Sequence, residues 1–205
     1  MKNKILLGLM CGVLIVGITT GCGNSKNNDK VDTNNPTENK EQVKDEKNIV
    51  LSDSYKIPGK NIVVDVPDYQ SIEKGFTKLY ILHGVKYIAI TANKSETVTE
   101  LMKAHEVAFK KFKENIQNYS YVNSISITNE KKDVINGIEV YRYEGTLNCG
   151  RDTVYDAYVM GYSFVMDGVP CTITGSVIDQ AQSKDLINEV RDTVDAMMKT
   201  VRSEK

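Results

Sequence analysis

The sequence predicts an α+β domain: an antiparallel β-sheet packed by two amphipathic helices. Three observations carry this. Two long segments place apolar residues at helical spacing, and several short runs rich in Val, Ile, Thr and Tyr read as strands. The connections between the later strands are too short for parallel crossovers, which need a dozen residues or more. Strands that return through tight turns and helices that carry one apolar stripe make a sheet with helices laid on it.

In chain order, the first clear strand is Ile62-Val-Val-Asp-Val66, ended by Pro67-Asp68, with order expected to begin near Ile57-Pro-Gly59. Strands are expected at 76–82 and 86–92, with His83-Gly84 at the turn between them. Thr97-Val-Thr-Glu100 has the form of a capping box. It opens a helix whose apolar and aromatic residues fall at 98, 101, 102, 109, 112, 116 and 119. Lys103, Lys110, Lys111 and Lys113 lie largely opposite and read as a solvated face. Segments 124–131 and 138–147 read as strands around Val134-Ile-Asn-Gly137, and 154–166 and 169–178 as strands joined by Asp167-Gly168. Asn-Gly and Asp-Gly are the residue pairs that two-residue hairpin turns require. A last helix is expected over 183–202, capped by Ser183, with Leu186, Ile187, Val190, Val194, Met197, Met198 and Val201 on one face. No internal repeat and no second domain is read.

The Asp167-Gly168 turn sets a register: Met166 faces Val169, Phe164 faces Cys171, Tyr162 faces Ile173 and Met160 faces Gly175. Placing the preceding turn at 148–152 sets Val140 opposite Met160. One sheet face then collects Ile138, Val140, Met160, Tyr162, Phe164, Cys171, Ile173 and Val177, and is expected to be the core face. The other collects Tyr141, Tyr143, Tyr155, Val159, Ser163, Thr172, Thr174 and Ser176. Strands favour Thr and Tyr on any face, but an open face of this kind also suits recognition, since Tyr is enriched at interfaces. Tyr141, Tyr143, Tyr155, Thr172 and Thr174 are therefore the candidate binding surface. The same register separates Cys149 from Cys171 by about twelve residues, or ~40 Å at roughly 3.3 Å each. A disulfide needs Cα atoms within about 7 Å, so none is expected; Cys171 reads as a small core residue and Cys149 as a loop thiol.

The amino-terminal end differs in kind from the rest. Lys2 and Lys4 precede an uncharged apolar run over 5–18, shorter than the roughly 20 residues a membrane-spanning helix needs and patterned as a secretory signal. It closes in Ile15-Val-Gly-Ile-Thr-Thr-Gly-Cys22. Small residues before a cysteine resemble the bacterial lipoprotein signal, although Thr19 stands where Leu is usual. That resemblance implies cleavage before Cys22 and a diacylglyceryl group on its thiol. Residues 22–48, the lipidated cysteine and then Asn, Lys, Asp, Glu and Thr with little that is apolar, read as a disordered polar tether, and 49–205 as the folded domain. The expected location is the extracytoplasmic face of a bacterial cell membrane, held by the lipid.

The chain has 26 basic and 27 acidic residues; removal of 1–21 takes Lys2 and Lys4 and leaves a net charge of −3. That is no electrostatic footprint for nucleic acid and no polybasic membrane patch. His83 and His105 are the two histidines. His105-Glu106 lacks the second histidine of a metalloprotease helix, and no nucleophile elbow, phosphate loop or dinucleotide fingerprint is present. Arg151-Asp152 and Asp156 fall short of a calcium loop. No metal, cofactor or catalytic residue is assigned, and a non-catalytic role is expected.

The long strand pair at 138–147 and 155–166, the Asp167-Gly168 hairpin and a closing helix after Val177-Ile178-Asp179 resemble the family that includes PsbP and Mog1. The resemblance spans most of 57–202 and implies the same sheet-and-helix fold, with binding to proteins or small ligands rather than a shared chemistry. Together these readings imply an accessory protein docking onto a membrane or cell-surface complex, or else a binding module for a peptide, glycan or small apolar ligand.

Overall fold

The hairpin turns form where the dipeptides place them. Asn136 and Gly137 have φ of 50° and 77°, and Asp167 and Gly168 have 52° and 72°. Positive φ at both central residues gives the turn a twist that matches the flanking strands. The computed structural model describes residues 49–204 except 76, 83 and 118–121. Among them, strands β1 (Asp53–Lys56), β2 (Ile62–Val66), β3 (Gln70–Lys74), β4 (Thr77–Leu82) and β5 (Lys86–Ala92) precede helix α1 (Leu101–Gln117). Strands β6 (Val122–Ile135), β7 (Ile138–Cys149), β8 (Tyr155–Met166) and β9 (Val169–Val177) follow, then helix α2 (Lys184–Thr200) and the short β10 (Arg202–Ser203).

The architecture is sheet-dominated. Seven strands pair in the order β3-β4-β5-β9-β8-β7-β6, every pair antiparallel. β5 pairs with β9, so two meanders meet at the middle of the sheet and α1 links them. A small second sheet has the order β1-β2-β10. It is tied to the chain end by the Arg202–Asp65 and Lys56–Glu204 ion pairs, both at 2.8 Å.

α2 lies on the expected core face. Val190, Val194, Met197 and Met198 are fully buried against Val140, Met160, Phe164, Cys171 and Ile173. Gly175 lets the helix approach: a Cβ there would stand 2.5 Å from Val190 Cγ1 and 2.7 Å from Val194 Cγ2. The register across the Asp167-Gly168 hairpin is the one expected, from Met166 opposite Val169 to Met160 opposite Gly175.

Six expectations change. Ser183 precedes α2 as expected, but its hydroxyl makes no capping hydrogen bond. Val140 faces Phe164 rather than Met160, because the β7–β8 loop occupies 150–154, not 148–152. The slip is four residues, an even number, so every side chain keeps its face. Order begins before Ile57: β1 and the edge strand β3 carry too few apolar residues to be read as strands, and β10 is two residues long. The capping box does not form. The Val98 N–H donates to Gly168 O at 3.0 Å, which holds 97–98 extended along the β8–β9 turn, and the helix starts at Leu101. In α1 the buried residues at its start are Ala104 and His105, while Met102 is 40% exposed. Cys149 is not a loop thiol; it ends β7 and is buried. Both thiols are free. Cys149 pairs with Tyr155 and Cys171 with Phe164, nine residues apart along β8 and on opposite faces. Burial pushes the Cys149 thiol up to about 11, with Asp156 adding to it, and Cys171 up to about 12.

The Gly175 contact generates a stability prediction. Gly175→Ala forces Val190 and Val194 outward, and overpacking of this kind costs about 1–3 kcal/mol. Urea unfolding should show a lower midpoint at unchanged slope.

Candidate functional site

On the sheet face opposite α2, the register aligns polar side chains across five strands. Thr77, Thr91, Thr172, Ser163 and Tyr141 stand in one cross-strand row. Thr174, Gly161, Tyr143 and Glu130 stand in the next. α1 lies over these rows through His105, which is 6% exposed. Its Nδ1 is 2.8 Å from Ser163 Oγ, and its Nε2 is 3.6 Å from Glu130 Oε1. The Tyr141 hydroxyl donates to Glu130 Oε2 at 3.2 Å. The imidazole also packs among aromatic rings, with centroids 5.3 Å from Phe109, 4.4 Å from Tyr141 and 5.7 Å from Tyr143.

Tyr143 anchors the inner end of this seam. Gly161, directly opposite, leaves its ring room: a Cβ there would stand 2.6 Å from the phenol oxygen. That oxygen is 2.6 Å from Thr174 Oγ1. Burial drives the phenol far above the usual tyrosine range, with Thr174 opposing, so it stays neutral. Burial and then the Glu130 carboxylate also raise Tyr141.

The face expected to be open is therefore covered. Of the five residues proposed as a binding surface, Tyr143, Thr172 and Thr174 are buried, while Tyr141 and Tyr155 keep partial exposure. A polar face can be covered when its hydroxyls bond across the seam and to the covering helix. Ser163, His105 and Glu130 have the connectivity of a nucleophile, base and acid. Ser163 is fully buried at mid-strand, however, so a substrate carbonyl reaches its Oγ only if α1 lifts. The group as it stands fixes α1 on the sheet.

The open feature lies at the first turn of α1. A cleft of about 640 Å³ is lined by Thr99, Glu100, Leu101 and Met102 on one side and by Lys132, Asp133, Val134 and Glu139 on the other. It shares Thr99, Leu101 and Glu139 with a second depression of about 360 Å³ that runs past Val98, Ile138 and Val165 to Gly168. Met102 and Val134, 40% and 62% exposed, present apolar surface here. The rim carries the carboxylates of Glu100 and Glu139 against Lys132, while Asp133, opposite Val140, lines the cleft from the strand edge with its side chain on the other face. The Lys131 ammonium, 3.0 Å away, and the Val134 N–H hold the Asp133 carboxyl below its usual range.

Sequence reasoning missed the cleft because its walls come from three elements. Met102, in the apolar stripe yet exposed, is the signal that belonged to it. Among the described residues no group of three His, Cys, Asp or Glu side chains is placed to hold a metal ion. Asp156 accepts a hydrogen bond from Asn148 Nδ2 at 3.1 Å. Cys22, the signal segment and the tether lie outside the described residues, as does His83. No described helix is long and apolar enough to cross a membrane.

No family model matches the chain, and no curated protein matches it. Solved structures do. The cyanobacterial PsbP protein CyanoP of Synechocystis sp. PCC 6803 is 13% identical, with a TM-score of 0.53 over 77% of this chain and 96% of that one. The Ran-binding protein Mog1p of Saccharomyces cerevisiae is 11% identical, with a TM-score of 0.49 over 73% of this chain and 94% of that one. At such identities the likeness to CyanoP shows the fold alone, and the fold is PsbP-like.

The seam makes its own prediction. Tyr143→Phe leaves the Thr174 hydroxyl buried without its partner, which costs about 1–3 kcal/mol. Chemical denaturation should show that loss, and Thr174→Val placed on top of it should recover part of it.

Proposed function

We propose that this protein is a lipid-anchored extracytoplasmic accessory protein whose folded domain docks, without catalysis, onto a partner protein of a membrane or cell-surface complex. The observation that carries the docking part is the cleft at α1, where Met102 and Val134 expose apolar surface inside a rim that includes Glu100, Lys132 and Glu139. An apolar floor with a charged rim is the anatomy of a recognition surface. The anchor rests on the sequence Thr20-Gly21-Cys22 after an uncharged apolar run. Two acyl chains at one residue suffice for stable attachment, since each buried methylene contributes about 0.8 kcal/mol. The polar tract that follows would give reach: about 26 residues of flexible chain span roughly 25–30 Å root-mean-square.

A small-ligand reading is weaker. The cleft volume falls within the range of about 300–1,000 Å³ usual for ligand pockets, but its walls are open and its carboxylates face solvent. Tyr143, Thr172 and Thr174 of the tyrosine face are buried, which leaves that face little open surface for a ligand.

Two measurements test the proposal. In a bacterial host, wild type should fractionate with membranes and incorporate labelled fatty acid, and Cys22→Ala should do neither. Crosslinking in native membranes should then recover one dominant partner with the anchored form. Wild type that is soluble and unlabelled would remove the anchor, and repeated recovery of the protein alone would remove the docking role.

A further inference from the structure

β6 ends the seven-stranded sheet and is its longest strand, with 14 residues. β7 occupies one side of it; among the described residues no strand pairs with the other. Beyond the irregularity at Ile127–Asn129, the stretch from Asn129 to Ile135 runs in unbroken register with β7. The two-residue turn makes Ile135 and Ile138 the hydrogen-bonded pair beside it. Alternation then aims the backbone groups of Ile135, Asp133 and Lys131 at β7 and those of Val134, Lys132 and Glu130 outward. The Val134 N–H fits this pattern, since it donates to Asp133 Oδ1 at 2.9 Å rather than to β7.

The side chains of the outward-bonding residues lie on the α1 face, because Glu130 is opposite Tyr143 and Lys132 is opposite Tyr141. Lys132 and Val134 also line the cleft whose other wall is the first turn of α1. Free edge and cleft are thus one surface. A strand laid along that edge would send alternate side chains toward Met102, Val134 and the carboxylates of Glu100 and Glu139. The charged run Glu130–Asp133 guards the edge against indiscriminate pairing. The excess of carboxylates at the cleft favours a basic segment.

We propose that the free edge of β6 and the adjoining cleft take up an extended segment of a partner protein as an added strand, the segment carrying apolar and basic side chains in alternation. This rests on the docking reading above and gives the partner its chemistry. Backbone hydrogen bonds hold the segment and the cleft selects it. The chain's own stretch 23–48 does not match, having six acidic residues, five lysines and only Val31 and Val43 as apolar residues.

The test uses the full chain carrying Cys22→Ala and three fluorescent nine-residue probes, read by anisotropy: alternating Leu and Lys, alternating Leu and Glu, and the Lys probe with alternate backbone amides N-methylated. The Lys probe should bind, more weakly at high salt, and the other two at least about tenfold more weakly. Lys132→Pro removes an outward N–H without touching the β6–β7 ladder and should lower affinity for the Lys probe about tenfold. Lys132→Ala, which removes a like charge, should not lower it. The N-methylated probe keeps the test decisive on the unaltered edge should Lys132→Pro fail to fold.

Equal binding of the N-methylated and Lys probes, with loss on Glu100→Lys or Glu139→Lys, would overturn strand addition and leave docking at the cleft intact. Absence of binding by the Lys probe would also overturn it. So would sedimentation showing a dimer that Lys132→Pro dissociates, since the occupant would then be a second copy. Partner recovery from crosslinked membranes decides the docking reading separately.

Discussion

Asn136-Gly137 and Asp167-Gly168 each close a strand pair in two residues, and what lies on the sheet follows from the parity those turns impose. Side chains alternate along a strand, so each turn fixes the faces of its own pair, and the β7–β8 ladder aligns the two pairs. Apolar residues fall to one side: Val140, Met160, Phe164, Cys171 and Ile173. A mixed set falls to the other: the hydroxyls of Thr172, Thr174, Ser163 and Tyr143, and a smaller apolar cluster of Leu147, Cys149, Ala157 and Val159. Each helix is suited to the face it meets. Val190, Val194, Met197 and Met198 of α2 meet hydrocarbon, and His105 of α1 meets Ser163 and Glu130.

The two faces hold their helices by different balances of apolar burial and hydrogen bonding. Burial of apolar area contributes about 25 cal/mol per Å² and tolerates small shifts. A buried hydrogen bond adds about 0.5–1.5 kcal/mol net, but losing one partner costs more than the bond contributes. The hydrogen bonds of the α1 seam are therefore specific in position while adding little to stability, and the apolar burial on that face is the smaller cluster of Leu147, Cys149, Ala157 and Val159 against Phe109. Thr172 shows the cost of a polar face: its Oγ1 is buried with no hydrogen-bond partner in the structure. The cleft exists because α1 begins only at Leu101, after Val98 is tied to Gly168. Its first turn therefore stands beside the β6–β7 hairpin instead of continuing an earlier helix.

Much of the sheet was legible because its signals are local. Two dipeptides announce two turns, and Ile62–Val66 and Lys86–Ala92 end where their apolar runs end. The β7–β8 loop is hard to place from sequence because Cys-Gly-Arg-Asp-Thr offers several turn positions, and an even slip leaves every face unchanged. β1 and β3 were illegible because edge strands need little hydrophobic content. The site was harder still. That α1 would cover the tyrosine face depends on His105, one polar residue in a helical stripe, finding Ser163 on a strand 58 positions later. No local pattern encodes that meeting, nor the approach of Met102 to Val134.

One sheet thus carries an apolar face that holds α2 firmly and a mixed face that positions α1 through a hydrogen-bonded seam beside a small apolar cluster under Phe109. Native-state hydrogen exchange, followed residue by residue in low denaturant, tests this arrangement most directly. The account predicts that α1 amides exchange through a local opening at least about 2 kcal/mol below global unfolding, while those of α2 and β8 exchange only with the global event. Exchange of both helices together at the global free energy would contradict it, because α1 would then be as much a part of the core as α2.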